Sequence, residues 1–138
     1  MLWLAVLFSA STELGSSRRT SRFLLPLLRW LAPDLPASTL QTVQFCVRKT
    51  GHAAGYALLA GLVWRARRRQ YAAPANQWSR ADAVFAFGTA TLFAVTDEWH
   101  QTFTATRQGA VADVALDAAG AALGLAAIWL WGRWRRHW

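Results

Sequence analysis

Stretches of apolar residues long enough to cross a lipid bilayer constrain this chain more than any other feature. Three of them lie at about residues 44–64, 81–101 and 109–131, and a transmembrane helix needs about 20 predominantly apolar residues. A shorter apolar stretch occupies residues 2–14. The pattern predicts an all-α fold, namely a polytopic membrane helix bundle of about four transmembrane helices. Because 138 residues suffice for one domain but not for two ordinary ones, residues 1–138 are predicted to form a single membrane domain.

The first apolar stretch has two interpretations. A secretory signal peptide is one, because Phe8-Ser9-Ala10 resembles a small-residue cleavage site. No basic residue precedes the apolar run, however, and signal peptides carry a positively charged start. A first membrane helix over residues 2–14 is therefore favoured.

The segment between the first two predicted spans, residues 15–45, is predicted to be a long loop with some order. Phe23–Leu31 within it is apolar but contains Pro26 and Arg29, and it is too short to cross a bilayer. It is predicted to lie as an interfacial helix at the membrane surface. Pro33 and Pro36 follow it and should end the helix.

Composition and charge favour a lipid bilayer as the partner. Apolar residues make up 54% of the chain, and its nine tryptophans mostly flank the apolar stretches, as in proteins with aromatic belts at the membrane interface. The net charge is +8, and arginines adjoin the ends of the spans, which suits anionic lipid headgroups better than a nucleic-acid interface. The single cysteine, Cys46, excludes an internal disulfide. No cofactor is predicted.

The basic clusters also predict the orientation. Residues 65–69 with Arg80 and residues 133–136 fall on one side of a bundle with an even number of spans. That side carries eight basic residues against seven on the other. Because this difference is small, the orientation is assigned from the basic clusters that directly adjoin the spans. The positive-inside rule then predicts a multi-pass protein of the inner (plasma) membrane with a cytoplasmic C-terminus.

Polar residues from separate segments should converge at the opposite, outer face. Antiparallel helices place the start of the second span, the end of the third and the start of the fourth at the same face of a membrane. A charged side chain at the centre of a bilayer costs about 2.5–3.5 kcal/mol by insertion scales, unless it is paired or hydrated. Charged side chains that lie together at one face can pair with one another and so avoid this cost. The residues concerned are Arg48, Lys49 and His52, then Asp97, Glu98, His100 and Gln101, then Arg107 and Asp113.

Helical spacing refines this expectation. Lys49, His52 and Tyr56 lie on one stripe of a helix. Asp113, Asp117, Gly120 and Gly124 share a face in the same way, and the small-xxx-small spacing of the two glycines lets another helix approach closely. That face is therefore predicted to look into the bundle.

Asp97 and Glu98 are sequence neighbours, so their side chains point about 100° apart on a helix. They cannot both face one partner squarely. Glu98 is expected to face inward with Gln101, and Asp97 is expected to cap the helix or meet solvent.

At these residues the sequence resembles the VanZ family. The resemblance rests on Arg48-Lys49-Thr-Gly-His52-Ala-Ala-Gly-Tyr56-Ala-Leu-Leu, on Asp97-Glu98-Trp-His-Gln101, and on Arg107, Asp113 and Gly120. It covers roughly residues 40–128 and departs from the family pattern at Asp117, a position usually occupied by Asn, while His100 falls at a variable position. The family is named for a protein of glycopeptide-resistance clusters linked to teicoplanin resistance. The resemblance implies a membrane protein and supplies no mechanism.

Three functions remain open at the level of sequence. The first is a protein that binds or recruits a cell-envelope component, with the link to teicoplanin resistance that the resemblance implies. The second is a membrane-embedded enzyme acting on an envelope phospholipid or lipid-linked precursor, with Glu98, Asp113 or His52 as the candidate catalytic group. The third is a small proton-linked transporter. The candidate binding residues are Arg48, Lys49, His52, Tyr56, Asp97, Glu98, Gln101, Arg107, Asp113 and Asp117.

A metal site is not predicted. His52, His100, Glu98 and Asp113 carry the side-chain types that bind zinc. No HExxH or comparable local spacing joins them. The sequence leaves the ligand and the oligomeric state open.

Overall fold

The computed structural model describes residues 17–71, 77–103, 110–136 and 138. Within these residues the chain forms four helices and no strand, which confirms the all-α prediction. The first predicted span, residues 2–14, lies outside the described residues. The helices are α1 (Ser17–Leu31), α2 (Ala37–Gln70), α3 (Arg80–Gln101) and α4 (Val111–Trp134).

The chain divides into two compact units, Met1–Gly51 and His52–Trp138. The second unit contains the larger part of α2 together with α3 and α4. The polar residues from His52 onward that the sequence singles out belong to this unit. The assignment of residues 1–138 to one membrane domain stays a prediction.

Helix α1 is longer than the predicted Phe23–Leu31, because it begins at Ser17 and keeps Pro26 inside it. It ends at Leu31, as Pro33 predicts, since the residue before a proline is disfavoured in the helical conformation. Trp30 and Leu31 at its end are exposed. Its position at a membrane interface stays a prediction.

Helix α2 corrects the predicted bounds of the second span, 44–64. It begins at Ala37, where the carbonyl of Pro36 accepts a hydrogen bond from the amide of Leu40. It continues to Gln70, so the basic segment Arg65–Arg69, which follows the predicted span, belongs to the same helix. Arginine is a good helix former, and cations are favourable at a helix C-terminus. An apolar stretch therefore indicates which part of a helix could lie in lipid, but it does not give the residues at which the helix begins and ends.

Helix α3 coincides with the third predicted span, 81–101, to within one residue. It begins at a capped end, where the Ser79 side chain accepts a hydrogen bond from the amide of Asp82 at 3.1 Å. Alanines spaced four residues apart are fully buried, at positions 86, 90 and 94, and α3 packs against α4. Such small side chains let two helix backbones approach closely.

Helix α4 begins two residues later than the predicted span, 109–131, and ends three residues later. Among the described residues it is the one helix that is both long enough and apolar enough to cross a membrane. Helix α3 carries Arg80, Asp82, Asp97 and Glu98 near its ends, and α2 carries several basic residues. Charges of this kind lower the apolar content of both helices.

Candidate functional site

One end of the second unit holds a group of polar side chains from all three of its helices. We call it the polar cluster. Its members from α3 and α4, and Tyr56 from α2, are buried, and Tyr56 and Asp117 retain only 3% and 2% exposure. The cluster is formed by His52 and Tyr56 of α2, Asp97, Glu98 and Gln101 of α3, and Asp117 of α4.

Tyr56 is the buried α2 member of the polar cluster. Its phenol group lies within Coulombic range of the carboxylates of Asp97, Asp117 and Glu98. Because those three residues belong to two different helices, one tyrosine of α2 faces acidic groups from both neighbours. The structure thus brings together segments that lie more than forty residues apart in the sequence.

Asp97 and Glu98 are both buried, so the expectation that Asp97 meets solvent is wrong. Gln101 donates a hydrogen bond from Nε2 to Oδ2 of Asp97 at 3.0 Å, one helical turn away. Glu98 accepts a hydrogen bond at Oε2 from the backbone amide of Ala110 at 2.9 Å. A helix that packs between two neighbours can bury adjacent positions, one towards each neighbour.

The Glu98 contact also stabilises the start of α4. Ala110 precedes that helix and offers no side chain that could cap it. Amide groups at a helix N-terminus lack partners within the helix and carry partial positive charge. The Glu98 carboxylate supplies an acceptor for one of them and ties the start of α4 to the end of α3.

His52 and Asp117 face each other across α2 and α4. The distance from Nδ1 of His52 to Oδ2 of Asp117 is 4.0 Å, which is too long for a hydrogen bond but short enough for an ion pair when the imidazole is protonated. The His52 side chain is 21% exposed, whereas that of Asp117 is 3% exposed. His52 is therefore the member of this pair that an approaching molecule would meet first.

Two glycines of α4 make this close approach of α2 and α4 possible. A Cβ atom at Gly120 would overlap the backbone carbonyl of Ala53, and one at Gly124 would lie 2.6 Å from the carbonyl oxygen of Ala57. The backbones of the two helices are thus in contact at both positions, as the small-xxx-small spacing predicts. This contact sets Asp117, one turn before Gly120, against the part of α2 that carries His52.

Four other residues of the predicted site fall outside the definition of the polar cluster given above. Asp113 is half-buried in the first turn of α4. Arg48 and Lys49 belong to the first unit, where they lie 5.9 and 5.3 Å from the ring centre of Phe45. Arg107 lies outside the described residues. A binding role for these four stays a prediction.

His100, noted as a possible zinc ligand, is exposed at the end of α3. Among residues 17–71, 77–103, 110–136 and 138, no three His, Cys, Asp or Glu side chains are grouped so that they could hold a metal ion.

Further contacts, which were not predicted from the sequence, lie at the opposite end of the second unit. Arg67 of α2 donates a hydrogen bond from Nε to Oδ1 of Asp82 of α3 at 2.8 Å. Trp64, Trp78 and Trp138 pack against one another, with ring centres 5.2 to 6.0 Å apart. Antiparallel helices place the end of α2, the start of α3 and the end of α4 at this end. Helix direction could therefore have predicted these contacts, as it predicted the polar cluster.

Comparison with known proteins places the chain in a family. The family model described as VanZ/LLP1 matches residues 1–132, which include every member of the polar cluster. No curated protein and no solved structure shows a significant match. The match confirms the resemblance found at the Arg48–Tyr56 and Asp97–Gln101 motifs and extends it over nearly the whole length. The chain therefore belongs to the VanZ/LLP1 family.

Proposed function

We propose that this protein is a multi-pass membrane protein whose polar cluster binds a polar component of the cell envelope. The observation that carries the proposal is the burial of Tyr56 among the carboxylates of Asp97, Glu98 and Asp117. Membership of the VanZ/LLP1 family and the apolar length of α4 support the membrane location.

The distribution of side chains supports the membrane location independently. The interior of the second unit is built largely from alanine, glycine and the polar cluster, with Ala60, Ala90 and Ala121 fully buried. Large apolar side chains point outward, among them Val84 and Leu123, which are 70% and 69% exposed. A water-soluble domain rarely exposes large contiguous apolar patches, whereas membrane helices pack through small residues and turn apolar side chains to lipid.

The chemistry of the polar cluster favours one class of ligand. Ionised carboxylates only accept hydrogen bonds, so Asp97, Glu98 and Asp117 would select amine or hydroxyl groups. An envelope phospholipid or lipid-linked precursor whose polar part carries amine or hydroxyl groups fits this chemistry.

A second candidate, an enzyme acting on the same lipid, draws support from the His52–Asp117 pair. A carboxylate beside an imidazole can orient it and stabilise its protonated form. If His52 transfers a proton, His52→Gln should still bind the lipid and should fail to turn it over. If the protein only binds, no product should accumulate with either chain.

The binding proposal is tested by the lipids that accompany the protein from membranes. Wild type, Asp97→Asn and Glu98→Gln are purified in mild detergent, and bound lipids are identified by mass spectrometry. Asp82→Asn serves as a matched control, because Asp82 is also a buried carboxylate of α3 but lies at its other end. A hydrogen bond to a charged group contributes about 1.5–3 kcal/mol, so the two cluster variants should lose roughly tenfold or more of the specific lipid. An unchanged lipid complement in both of them contradicts the proposal.

The link to teicoplanin resistance is a separate part of the proposal. Expression of the wild type in a susceptible host should raise the inhibitory concentration of teicoplanin, and expression of Glu98→Gln to the same level should not. An equal rise in the inhibitory concentration with both proteins would mean that resistance does not depend on the polar cluster.

A further inference from the structure

Arginine dominates the end of the second unit that lies opposite the polar cluster. Among the described residues 60–71, 77–85 and 128–136, Asp82 is the one carboxylate. We call this the arginine–tryptophan end, since tryptophans 64, 78, 129, 131, 134 and 138 also lie there. Its side chains belong to the end of α2, the start of α3 and the end of α4.

The Asp82 side chain pairs with one arginine of this end. Arg67 lies 2.8 Å from Asp82, and its guanidinium also sits over the Phe85 ring at 4.2 Å. Arg68 is buried and lies 5.1 Å from the ring centre of Trp64. In the described part of this end, exposed arginines therefore outnumber the one carboxylate side chain. The exposed arginines are Arg65, Arg69, Arg80, Arg133, Arg135 and Arg136.

Tryptophan rings hold two of the exposed arginines in place. Arg135 lies 4.9 and 5.4 Å from the ring centres of Trp131 and Trp134, and Arg133 lies 5.6 Å from that of Trp129. A cation–π contact uses no hydrogen-bond acceptor, so it leaves the five N–H donors of the guanidinium for other groups. Arginine presents those donors in a planar fork that matches a phosphate.

We propose that the arginine–tryptophan end binds the phosphate groups of anionic phospholipids in the membrane leaflet that it adjoins. Charge complementarity supplies the attraction, and the indole rings identify the source of the phosphate. Trp131 and Trp134 are 55% and 70% exposed, and tryptophan favours the boundary between headgroups and acyl chains. A soluble phosphate would gain nothing from these rings. This inference rests on the proposed membrane location and not on a ligand at the polar cluster.

The test uses the full-length protein in detergent with phosphatidylglycerol or phosphatidylcholine added, and native mass spectrometry to count bound lipids. One variant carries Arg133→Gln, Arg135→Gln and Arg136→Gln, and a matched control carries Arg→Lys at the same positions. Each basic residue near an anionic surface strengthens attraction by roughly fivefold. The wild type should therefore prefer phosphatidylglycerol, and the Gln variant should lose roughly tenfold or more of this preference.

Three further measurements keep the result interpretable. The Lys variant retains the charge and should keep most of the preference, and circular dichroism should show wild-type helix content in both variants. Millimolar inorganic phosphate should not displace the lipid. Residues 133, 135 and 136 lie outside the polar cluster, so a preference lost in the Gln variant and kept in the Lys variant separates this site from the polar cluster. An unaltered preference in the Gln variant, or full displacement by phosphate, overturns the proposal.

Discussion

At the scale of single residues, the polar cluster buries Tyr56, Glu98 and Asp117, one from each of the three helices of the second unit. The segments that carry Tyr56, Glu98 and Asp117 were expected to meet because antiparallel helices bring their ends together, and the structure places these three side chains in one cluster. The partners of Asp97 and Glu98 depend on details that helical periodicity does not contain. Glu98 accepts a hydrogen bond from the amide of Ala110, a contact between two helix ends that the periodicity of α3 alone does not predict.

The hydrogen bond between Gln101 and Asp97 gives a prediction at this scale. Gln101→Leu removes one hydrogen bond to the buried Asp97 carboxylate, and a hydrogen bond to a charged group contributes about 1.5–3 kcal/mol. The free energy of unfolding in mixed micelles should fall by about that amount. Gln70→Leu, an identical change at the exposed end of α2, should alter it by no more than about 0.5 kcal/mol. Equal losses in the two variants would mean that Gln101 does not support Asp97.

At the scale of helices, the apolar stretches of the sequence predict which helices are present but not the residues at which each helix begins and ends. The third and fourth predicted spans agree with α3 and α4 to within three residues. Helix α2 extends beyond its predicted span at both ends, because backbone hydrogen bonding and arginine propensity continue a helix past its apolar stretch. The packing of α2 on α4 was visible in the sequence as Gly120 and Gly124, although the partner segment near Ala53 and Ala57 was not.

Glycine substitutions test this packing. Gly120→Ala places a methyl group on the backbone of Ala53, and overpacking typically costs about 1–3 kcal/mol. Gly88→Ala on α3 is the matched control, because nothing lies within 4 Å of its added Cβ and Gly→Ala within a helix gains about 0.5–1 kcal/mol. Unfolding in mixed micelles should therefore show opposite signs for the two variants. A Gly120→Ala protein as stable as Gly88→Ala would contradict the contact between α2 and α4.

At the scale of the whole molecule, the second unit has two chemically different ends separated by apolar helices. Acidic side chains collect at one end, and arginine and tryptophan collect at the other. The sequence predicts that polar groups converge at one end and that basic residues adjoin the spans at the other, because antiparallel helices bring alternate helix ends together. The count of basic residues on the two sides, eight against seven, is too close to predict orientation by itself. The contrast between the two ends is a stronger reason to expect the arginine–tryptophan end on the cytoplasmic side, because anionic lipid is characteristic of the cytoplasmic leaflet.

The proposal that these two ends lie on opposite faces of a membrane is tested most directly by cysteine labelling. With the exposed native Cys46 replaced by Ser, single cysteines are placed at Gln77 and at Thr102, which flank α3 and are exposed. Helix α3 has 22 residues, or about 33 Å at a rise of about 1.5 Å per residue, which matches a hydrocarbon core of about 30 Å. An impermeant maleimide applied to intact cells should label the cysteine at Thr102, and the cysteine at Gln77 should react only after the membrane is opened. Labelling of both positions from the same side would contradict the account.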